Sequence, residues 1–181
     1  MKYFIDTEFV YSTEFNGAWV TPISVGLVRE DGEEFYAVCT DAFTQAGISG
    51  FVRWSVLPFL FTVSPEPGPS RVLPTAGPWK LEEIRCRLTA WIKNDTPEFI
   101  GEYSAFDYVV LSTIMGGFER WPKGWPMYVR DLRQEAVPES TSATPHNALA
   151  DARAVRDIYN WSYGEPGTHD DAGQPAEGGV F

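Results

Sequence analysis

Three short segments of the sequence carry acidic or titratable side chains in settings that suit chemistry. The first is Asp6-Thr7-Glu8, which follows the apolar, β-prone residues 3–5. In an extended backbone, residues two apart point to the same side, so the two carboxylates can converge on one point. Carboxylate oxygens are ligands for hard divalent cations, which makes the triplet a candidate metal site. Taken alone, however, such a triplet is more often a solvated turn.

The other two segments each place a single carboxylate near a predicted helix start. Phe106-Asp107 precedes the largely apolar residues 108–111, and His146 lies five positions before Asp151, with small residues between them. An imidazole titrates near neutral pH and is suited to proton transfer. Each segment also has a simpler explanation. Asp107 could stabilise the helix start, His146 could be a polar residue at a helix N-terminus, and Asp151 could be an exposed helical aspartate.

Taken in chain order, the three segments resemble the three motifs of the DEDDh family of 3′-to-5′ exonucleases. That family includes ribonuclease T, oligoribonuclease and the proofreading subunits of replicative polymerases. The resemblance covers about residues 3–161 and includes all five signature positions: Asp6, Glu8, Asp107, His146 and Asp151. The sequence departs from the family pattern at residues 101–104, Gly-Glu-Tyr-Ser, where many relatives carry a His-Asn or Asn-containing stretch.

The resemblance implies two hard cations, Mg²⁺ or Mn²⁺, about 3.5 to 4 Å apart, that stabilise the attacking and leaving oxygens at phosphorus. Asp6 would bridge the two ions, while Glu8 and Asp151 would hold the ion nearer the attacking water. Asp107 would act on the second ion through water. His146 would accept the proton of the attacking water as general base.

The resemblance also implies a substrate and a product. Residues beside the first metal ligands contact the terminal nucleotide in the family, and the candidates here are Thr7, Glu8, Phe9 and Phe106. The expected reaction releases nucleoside 5′-monophosphates from a single-stranded or overhanging 3′ end, and analogy with small bacterial members favours RNA over DNA. A homodimer is expected by the same analogy. The alternatives left open are a DNA-proofreading or repair exonuclease and an inactive nucleic-acid-binding module of the same fold.

The elements predicted around these residues form an α/β protein. The pair Asp31-Gly32 between two β-prone runs predicts a hairpin, so the second and third strands should be antiparallel neighbours. Further predicted strands are residues 98–101 and 127–131, and predicted helices are residues 79–94, 106–115 and 147–161. This pattern agrees with the ribonuclease H-like fold that the resemblance implies, which has a five-stranded mixed sheet with an antiparallel second strand, flanked by helices.

Two intervening segments are less regular. Residues 51–61 predict a short helix that Pro58 interrupts, because proline removes a backbone donor and clashes with the preceding turn. Residues 64–78 contain five prolines and predict a surface loop near the substrate or a partner chain.

Composition predicts one compact domain. The 181 residues, 44% of them hydrophobic, are enough for a single core, which we assign to residues 1–163, with an acidic Gly- and Pro-rich tail at 164–181. Cys39 and Cys86 show no metal-site spacing and indicate reduced thiols. The absence of a leader-like segment or a long apolar run predicts a soluble cytoplasmic protein.

The formal net charge of −11 opposes long-range attraction to nucleic acid, because non-specific affinity for phosphates comes largely from Lys and Arg. Cations bound at a carboxylate site, and the position of several acids in the tail, reduce the weight of this objection. The charge therefore favours short or end-bound substrates that are gripped locally.

Overall fold

The computed structural model describes residues 1–11, 20–41, 49–61 and 77–164. The strands are β1 (Lys2–Tyr11), β2 (Val20–Arg29), β3 (Glu34–Cys39), β4 (Pro78–Trp79), β5 (Glu98–Gly101) and β6 (Arg130–Asp131). The longer helices are α1 (Leu81–Ile92), α2 (Ala105–Met115) and α3 (Ala148–Tyr163). The strands form one mixed sheet in the order β4-β3-β2-β1-β5-β6. The expected α/β architecture, a mixed sheet flanked by helices, is confirmed.

The strand pairing confirms the antiparallel β2 and corrects the strand count. β2 runs antiparallel to both β1 and β3, whereas β1 and β5 are parallel. The expected five strands are six, because Pro78 and Trp79 pair with Val38 and Cys39 as the two-residue strand β4. A strand of two residues leaves no alternating pattern in the sequence, and proline is tolerated at the edge of a sheet because no ladder donor is needed there.

Side chains of β1 alternate between two separate cores. Tyr3 and Ile5 pack with buried residues of α1 and α2 on one face of the sheet. Phe4 and Val10 pack on the other face with buried residues of α3 and of residues 52–60. The sheet is therefore the middle of three layers, as expected when both faces are apolar. Because side chains two apart share a face, Asp6 lies on the α3 side with Phe4, while Thr7 lies on the α2 side with Ile5.

The helix bounds follow the predicted ones within two residues, whereas one predicted strand is shorter than expected. α2 ends at Gly116, whose left-handed conformation (φ 85°) lets its N–H reach the Ser112 and Thr113 carbonyls. The strand expected at 127–131 is wrong for 127–129, because only Arg130 and Asp131 pair with β5. Met127 and Tyr128 are instead exposed.

The irregular segments are described only in part. Residues 52–56 form a π-helical turn, and a 3₁₀ turn follows at Leu57–Phe59, so the expected helix is broken beside Pro58. The proline-rich prediction at 64–78 lies outside the described residues except for 77 and 78. The predicted tail likewise lies outside them beyond Gly164. Within the described ranges, no helix combines the length and apolar character needed to cross a bilayer.

Candidate active site

The central strand supplies the first two acids of the site. Asp6 and Glu8 lie on β1, where they pair across the sheet with Gly26 and Ser24 of β2. A bulge between Glu8 and Phe9 shifts the register with β2 just after the two acids. Bulges often lie beside active sites because they redirect side chains. β1 thus presents two carboxylates from a fixed backbone.

Helix α3 approaches this strand closely because β2 carries a glycine where the two meet. Gly26 pairs with Asp6 across the sheet, and a Cβ on Gly26 would overlap the backbone of Ala148 and Leu149. Only a residue without a side chain allows the first turn of α3 to lie so near the sheet. Gly26 therefore sets the distance between the two acids of β1 and Asp151 of α3.

Asn147 fixes the first turn of α3. Its Oδ1 accepts hydrogen bonds from the backbone N–H groups of Leu149 (3.1 Å) and Ala150 (3.0 Å), which is the usual cap of a helix N-terminus. Its Nδ2 donates to the carbonyl of Phe59 at 2.8 Å. The fully buried Asn147 thus joins α3 to residues 49–61 and orients the turn that carries Asp151.

His146 lies immediately before this cap in an unusual backbone conformation. Its φ of 65° is left-handed, a region that histidine enters more readily than most residues. Its backbone N–H donates to Asp151 Oδ2 at 2.9 Å, and its ring lies edge-on to Phe51 with centroids 5.0 Å apart. The contact with Asp151 therefore uses the backbone of His146 and not its half-buried imidazole.

The structure brings three of the predicted metal ligands together. Asp6, Glu8 and Asp151 each offer a carboxylate oxygen, and these three atoms all lie within 4.8 Å of one another. None of the salt bridges within the described part of the chain involves any of them. An all-oxygen donor set without a basic partner fits a hard divalent cation such as Mg²⁺ or Mn²⁺.

Asp107 approaches the site from the other face of the sheet and is not a member of this group of three. It lies in the first turn of α2, is buried, and accepts a hydrogen bond from Thr7 Oγ1 at 2.6 Å. Asp131 holds the loop before α2, because its carboxylate accepts hydrogen bonds from the backbone N–H groups of Tyr103 and Ser104, each 3.1 Å long. Thr7 and Asp131 thus position the fourth acid.

Burial and mutual repulsion disfavour the ionised forms of these acids in the protein alone. Burial raises the pKa of Asp6 well above its usual range, and the charges of Asp107, Asp151 and Glu8 add to this effect. Burial, together with the charges of Asp151 and Asp107, raises the pKa of Glu8 to about 8. A bound cation would reverse this effect by stabilising the carboxylates.

The other two acids are partly stabilised by hydrogen bonds. Burial raises the pKa of Asp107 to about 7, although the hydrogen bonds from Thr7 oppose the shift. Burial also raises the pKa of Asp151, against hydrogen bonds from Ser142 and from the backbone of His146. These donors partly stabilise the ionised forms of Asp107 and Asp151. The ionised forms of Asp6 and Glu8 depend more on a bound cation.

The free energy of unfolding of the metal-free protein is expected to fall as the pH rises from about 4 to about 8. Unfolded Asp and Glu titrate near pH 4, whereas Glu8 and Asp107 have folded pKa values of about 8 and 7. Raised acid pKa values stabilise the fold fully below the unfolded pKa, and this contribution is lost as the pH rises through the folded pKa. Thermal unfolding at pH values from about 4 to about 9, with a chelator present, measures the fall.

Adding Mg²⁺ should restore the lost stability at high pH, because the cation binds the folded carboxylates only. Glu8→Gln, which lacks one titrating acid, should show a shallower fall than the wild-type protein. A metal-free stability that increases with pH over this range would contradict the account.

Gly26→Ala is expected to destabilise the protein by about 1 to 3 kcal/mol, the usual cost of forcing atoms into a packed core. The added Cβ must push α3 away from β2, so affinity for Mg²⁺ should fall as well. Gly50→Ala is the matched control, since a Cβ there meets nothing within 4 Å. Chemical denaturation and metal titration of both variants make the comparison, and equal behaviour of the two would rule out the positioning role of Gly26.

Three aromatic side chains lie together at the start of α2 and form what we call the aromatic ledge: Phe9, Tyr11 and Phe106. The rings of Phe9 and Phe106 are stacked with centroids 5.1 Å apart, and Tyr11 meets Phe106 edge-on at 6.3 Å. Tyr11 and Phe106 are exposed. Of the four predicted substrate contacts, Phe9 and Phe106 therefore lie together, Thr7 uses its hydroxyl to hold Asp107, and Glu8 belongs to the three-acid group.

Sequence reasoning missed the residues that position the site. Asn147 had a detectable signal, because an asparagine before a small-residue helix is a typical cap. Glu102 had one too, since it occupies the stretch where the family pattern differs. Its carboxylate accepts hydrogen bonds from the backbone N–H (3.1 Å) and hydroxyl (2.6 Å) of Ser140, which ties the end of β5 to the loop leading to His146. Gly26 and Asp131 left no signal, because their roles depend on contacts distant in sequence.

The fold and the site define an α/β protein in which acids from a central strand and two helices converge. The chain is 33% identical over 163 residues to the 3′-5′ exoribonuclease Rv2179c of Mycobacterium tuberculosis (strain ATCC 25618 / H37Rv). The matched region covers 84% of this chain and 88% of the relative. The 3′-5′ exoribonuclease MT2234.1 of strain CDC 1551 / Oshkosh gives the same identity and coverage. The chain therefore belongs to this 3′-5′ exoribonuclease family. No protein-family model matches it.

Proposed function

We propose that this protein is a 3′-to-5′ exoribonuclease of the DEDDh type, with a ribonuclease H-like fold, that releases nucleoside 5′-monophosphates. The observation that carries the proposal is the group of three carboxylates, two from β1 and one from α3, with ligand atoms within 4.8 Å of one another. The activity named for the mycobacterial relatives supports the reaction. The antiparallel β2 beside a central β1 supports the fold.

The acids are assigned to two divalent cations, Mg²⁺ or Mn²⁺. When bound, the cations supply electrostatic stabilisation of the attacking and leaving oxygens at phosphorus. Glu8 and Asp151 would hold one of them, Asp6 would be shared, and Asp107 would act on the second through water. The position of Asp107 outside the three-acid group agrees with this less direct role.

His146 is assigned as the general base that takes the proton of the attacking water. Its imidazole makes no hydrogen bond to Asp151, whose partner is the backbone N–H of His146. The imidazole is also not a member of the three-acid group, so the proposed role does not require it to bind a cation. Neutral imidazole accepts a proton near physiological pH, which fits the role.

The substrate is assigned as the 3′ end of a single-stranded or overhanging RNA. The aromatic ledge offers a stacking surface for a terminal base, and such stacking accepts every base because each has a π-face. The net charge of −11 supports local grip of a chain end over binding along a duplex. A homodimer stays a prediction of the family resemblance, and a cytoplasmic location stays a prediction from the sequence.

A side-by-side assay on RNA and DNA oligomers of equal sequence tests this assignment. Faster metal-dependent hydrolysis of RNA supports the proposal, since a 2′-OH is what distinguishes the two substrates at a given site. Faster hydrolysis of DNA would support a proofreading or repair exonuclease instead. Binding without hydrolysis of either oligomer would support an inactive module.

A further inference from the structure

The loop that leads to His146 is attached to the end of β5 by a buried carboxylate. Glu102 follows the last residue of β5, and its side chain is only 10% exposed. Its two oxygens accept the backbone N–H of Ser140 at 3.1 and 3.2 Å, and Oε2 also accepts the Ser140 hydroxyl at 2.6 Å. Burying a carboxylate is costly unless donors satisfy it. These contacts therefore stabilise Glu102 and fix the loop residue that it binds.

Arg133 supports the same attachment from the turn after β6. Its guanidinium donates to the Val137 carbonyl at 2.8 Å and lies 4.0 Å from Glu102 Oε1. Val137 is itself buried in the core on the α3 face. Residues 137–140 are therefore held against the end of β5 before the chain continues towards the acids.

His146 lies six positions after Ser140, and turns of the loop connect the two. Ser142 Oγ accepts the backbone N–H of Thr144 at 3.2 Å, and the Thr144 carbonyl accepts the N–H of Asn147 at 3.2 Å. His146 lies inside the second of these turns with a φ of 65°. A left-handed residue other than glycine is strained, and it persists only where the surrounding structure holds it. The backbone of His146 therefore depends on fixed residues on both sides, the helix cap after it and the attached loop before it.

We propose that Glu102 is a positioning residue for the general base, because its attachment to Ser140 holds the loop in the conformation that His146 requires. This inference rests on the proposed function, in which His146 is the base. Glu102 itself would contact neither a cation nor the RNA. It also lies in the stretch where the sequence departs from the family pattern.

The main alternative role for Glu102 is that of a fifth metal ligand. Its charge contributes to the raised pKa of Asp6, so it lies near the site. However, both of its oxygens already accept hydrogen bonds from Ser140, and it is not a member of the three-acid group. Glutamine at this position can accept from the Ser140 N–H and donate to the Ser140 hydroxyl, but it lacks the negative charge. Glu102→Gln therefore separates the attachment of the loop from the binding of a cation.

The test measures whether Glu102 acts through His146. The values of kcat and KM for RNA hydrolysis are measured for Glu102→Ala, Glu102→Gln, His146→Asn and the double variant Glu102→Ala/His146→Asn. Glu102→Ala should lower kcat about 10- to 100-fold with little change in KM, since a misplacement of about 1 Å can cost about 10²-fold. Glu102→Gln should recover most of the lost rate. The double variant should match His146→Asn alone, because a positioning residue has no effect once the group that it positions is absent.

Glu98→Ala is the matched control, because Glu98 lies at the other end of β5 and accepts a hydrogen bond from Arg130 at 3.2 Å. Its kcat should stay at the wild-type value. Thermal unfolding shows whether each variant folds, and Ser140→Ala, which removes one donor, replaces Glu102→Ala if that variant does not. A second readout needs no activity. Amide hydrogen exchange of residues 140–147 should be faster in Glu102→Ala than in the wild-type protein, and unchanged in Glu98→Ala.

Three results would overturn the proposal while leaving the proposed function intact. The first is a wild-type kcat in Glu102→Ala. The second is a double variant in which the two losses multiply, since Glu102 would then act independently of the base. The third is a loss of Mg²⁺ affinity in Glu102→Gln as large as that in Asp6→Ala, which would make Glu102 a metal ligand. If the wild-type protein does not hydrolyse RNA at all, the proposed function fails. Hydrogen exchange then decides on the attachment alone, and equal exchange in Glu102→Ala and the wild-type protein would reject it.

Discussion

Asp6→Ala is expected to abolish RNA hydrolysis while leaving the metal-free protein as stable as the wild type, or more stable. Asp6 is the acid assigned to both cations, so its loss removes a ligand from each. In the metal-free protein its pKa is raised by burial and by the charges of Asp107, Asp151, Glu8 and Glu102, so removing it relieves repulsion. The measurements are turnover of a labelled oligoribonucleotide, Mg²⁺ titration by calorimetry, and thermal unfolding in a chelator.

The combination of results is what distinguishes a ligand from a structural residue. Replacing an acid with a structural role would lower both the stability and the activity of the protein. Asp6→Ala should lower only the activity and the affinity for Mg²⁺. Glu119→Ala is the control, because Glu119 is exposed and lies beyond the end of α2. Undiminished turnover in Asp6→Ala would remove the central assignment of the site.

Replacing His146 is expected to slow the chemical step about 10² to 10⁴-fold, the usual contribution of a general base, with little change in Mg²⁺ affinity. Asparagine is the informative substitution, because it tolerates the left-handed backbone of residue 146 and cannot act as the base. Alanine at this position should lower the stability by up to about 1 kcal/mol relative to asparagine, because alanine has no polar side chain to hydrogen-bond locally in the left-handed conformation. Single-turnover rates, denaturant unfolding and metal titration separate these effects.

The pH profile provides the second readout for His146. General-base catalysis requires the neutral form of an imidazole, so the pH dependence of the rate in His146→Asn should differ from that of the wild-type protein. Asp151→Ala, in contrast, should weaken both turnover and Mg²⁺ binding, because Asp151 belongs to the three-acid group. Near-normal turnover of His146→Asn with an unaltered pH profile would show that the base assignment is wrong.

The sequence predicted that Asp6, Glu8 and Asp151 lie near one another, but it did not predict the arrangement of all four acids. The alternation of a strand predicted that Asp6 and Glu8 share a face, and the motif order predicted their association with α3. That Asp107 stands apart from the three-acid group, held by the Thr7 hydroxyl, could not be predicted, because chain order carries no distances. Gly26 was also unpredictable, because it reads as an ordinary strand glycine until the backbone of α3 is seen against it.

The same limit applies to the fold and to residues 51–61. The hairpin and the three helices could be predicted because each has a periodic pattern or a turn signal of its own. β4 has two residues and β6 has two, which is too short for any pattern. Pro58 obscures the helical character of residues 51–61, so the exposed positions of Phe51 and Trp54 became visible only in the structure.

The most direct test of the central claim is the course of hydrolysis of an oligoribonucleotide labelled at its 5′ end. With Mg²⁺ present, the labelled strand should shorten progressively from its 3′ end while nucleoside 5′-monophosphates accumulate, and a chelator should stop the reaction. Release of the 5′ label as the first mononucleotide, the appearance of internal fragments, or hydrolysis that persists in the chelator would each contradict a metal-dependent 3′-to-5′ exoribonuclease.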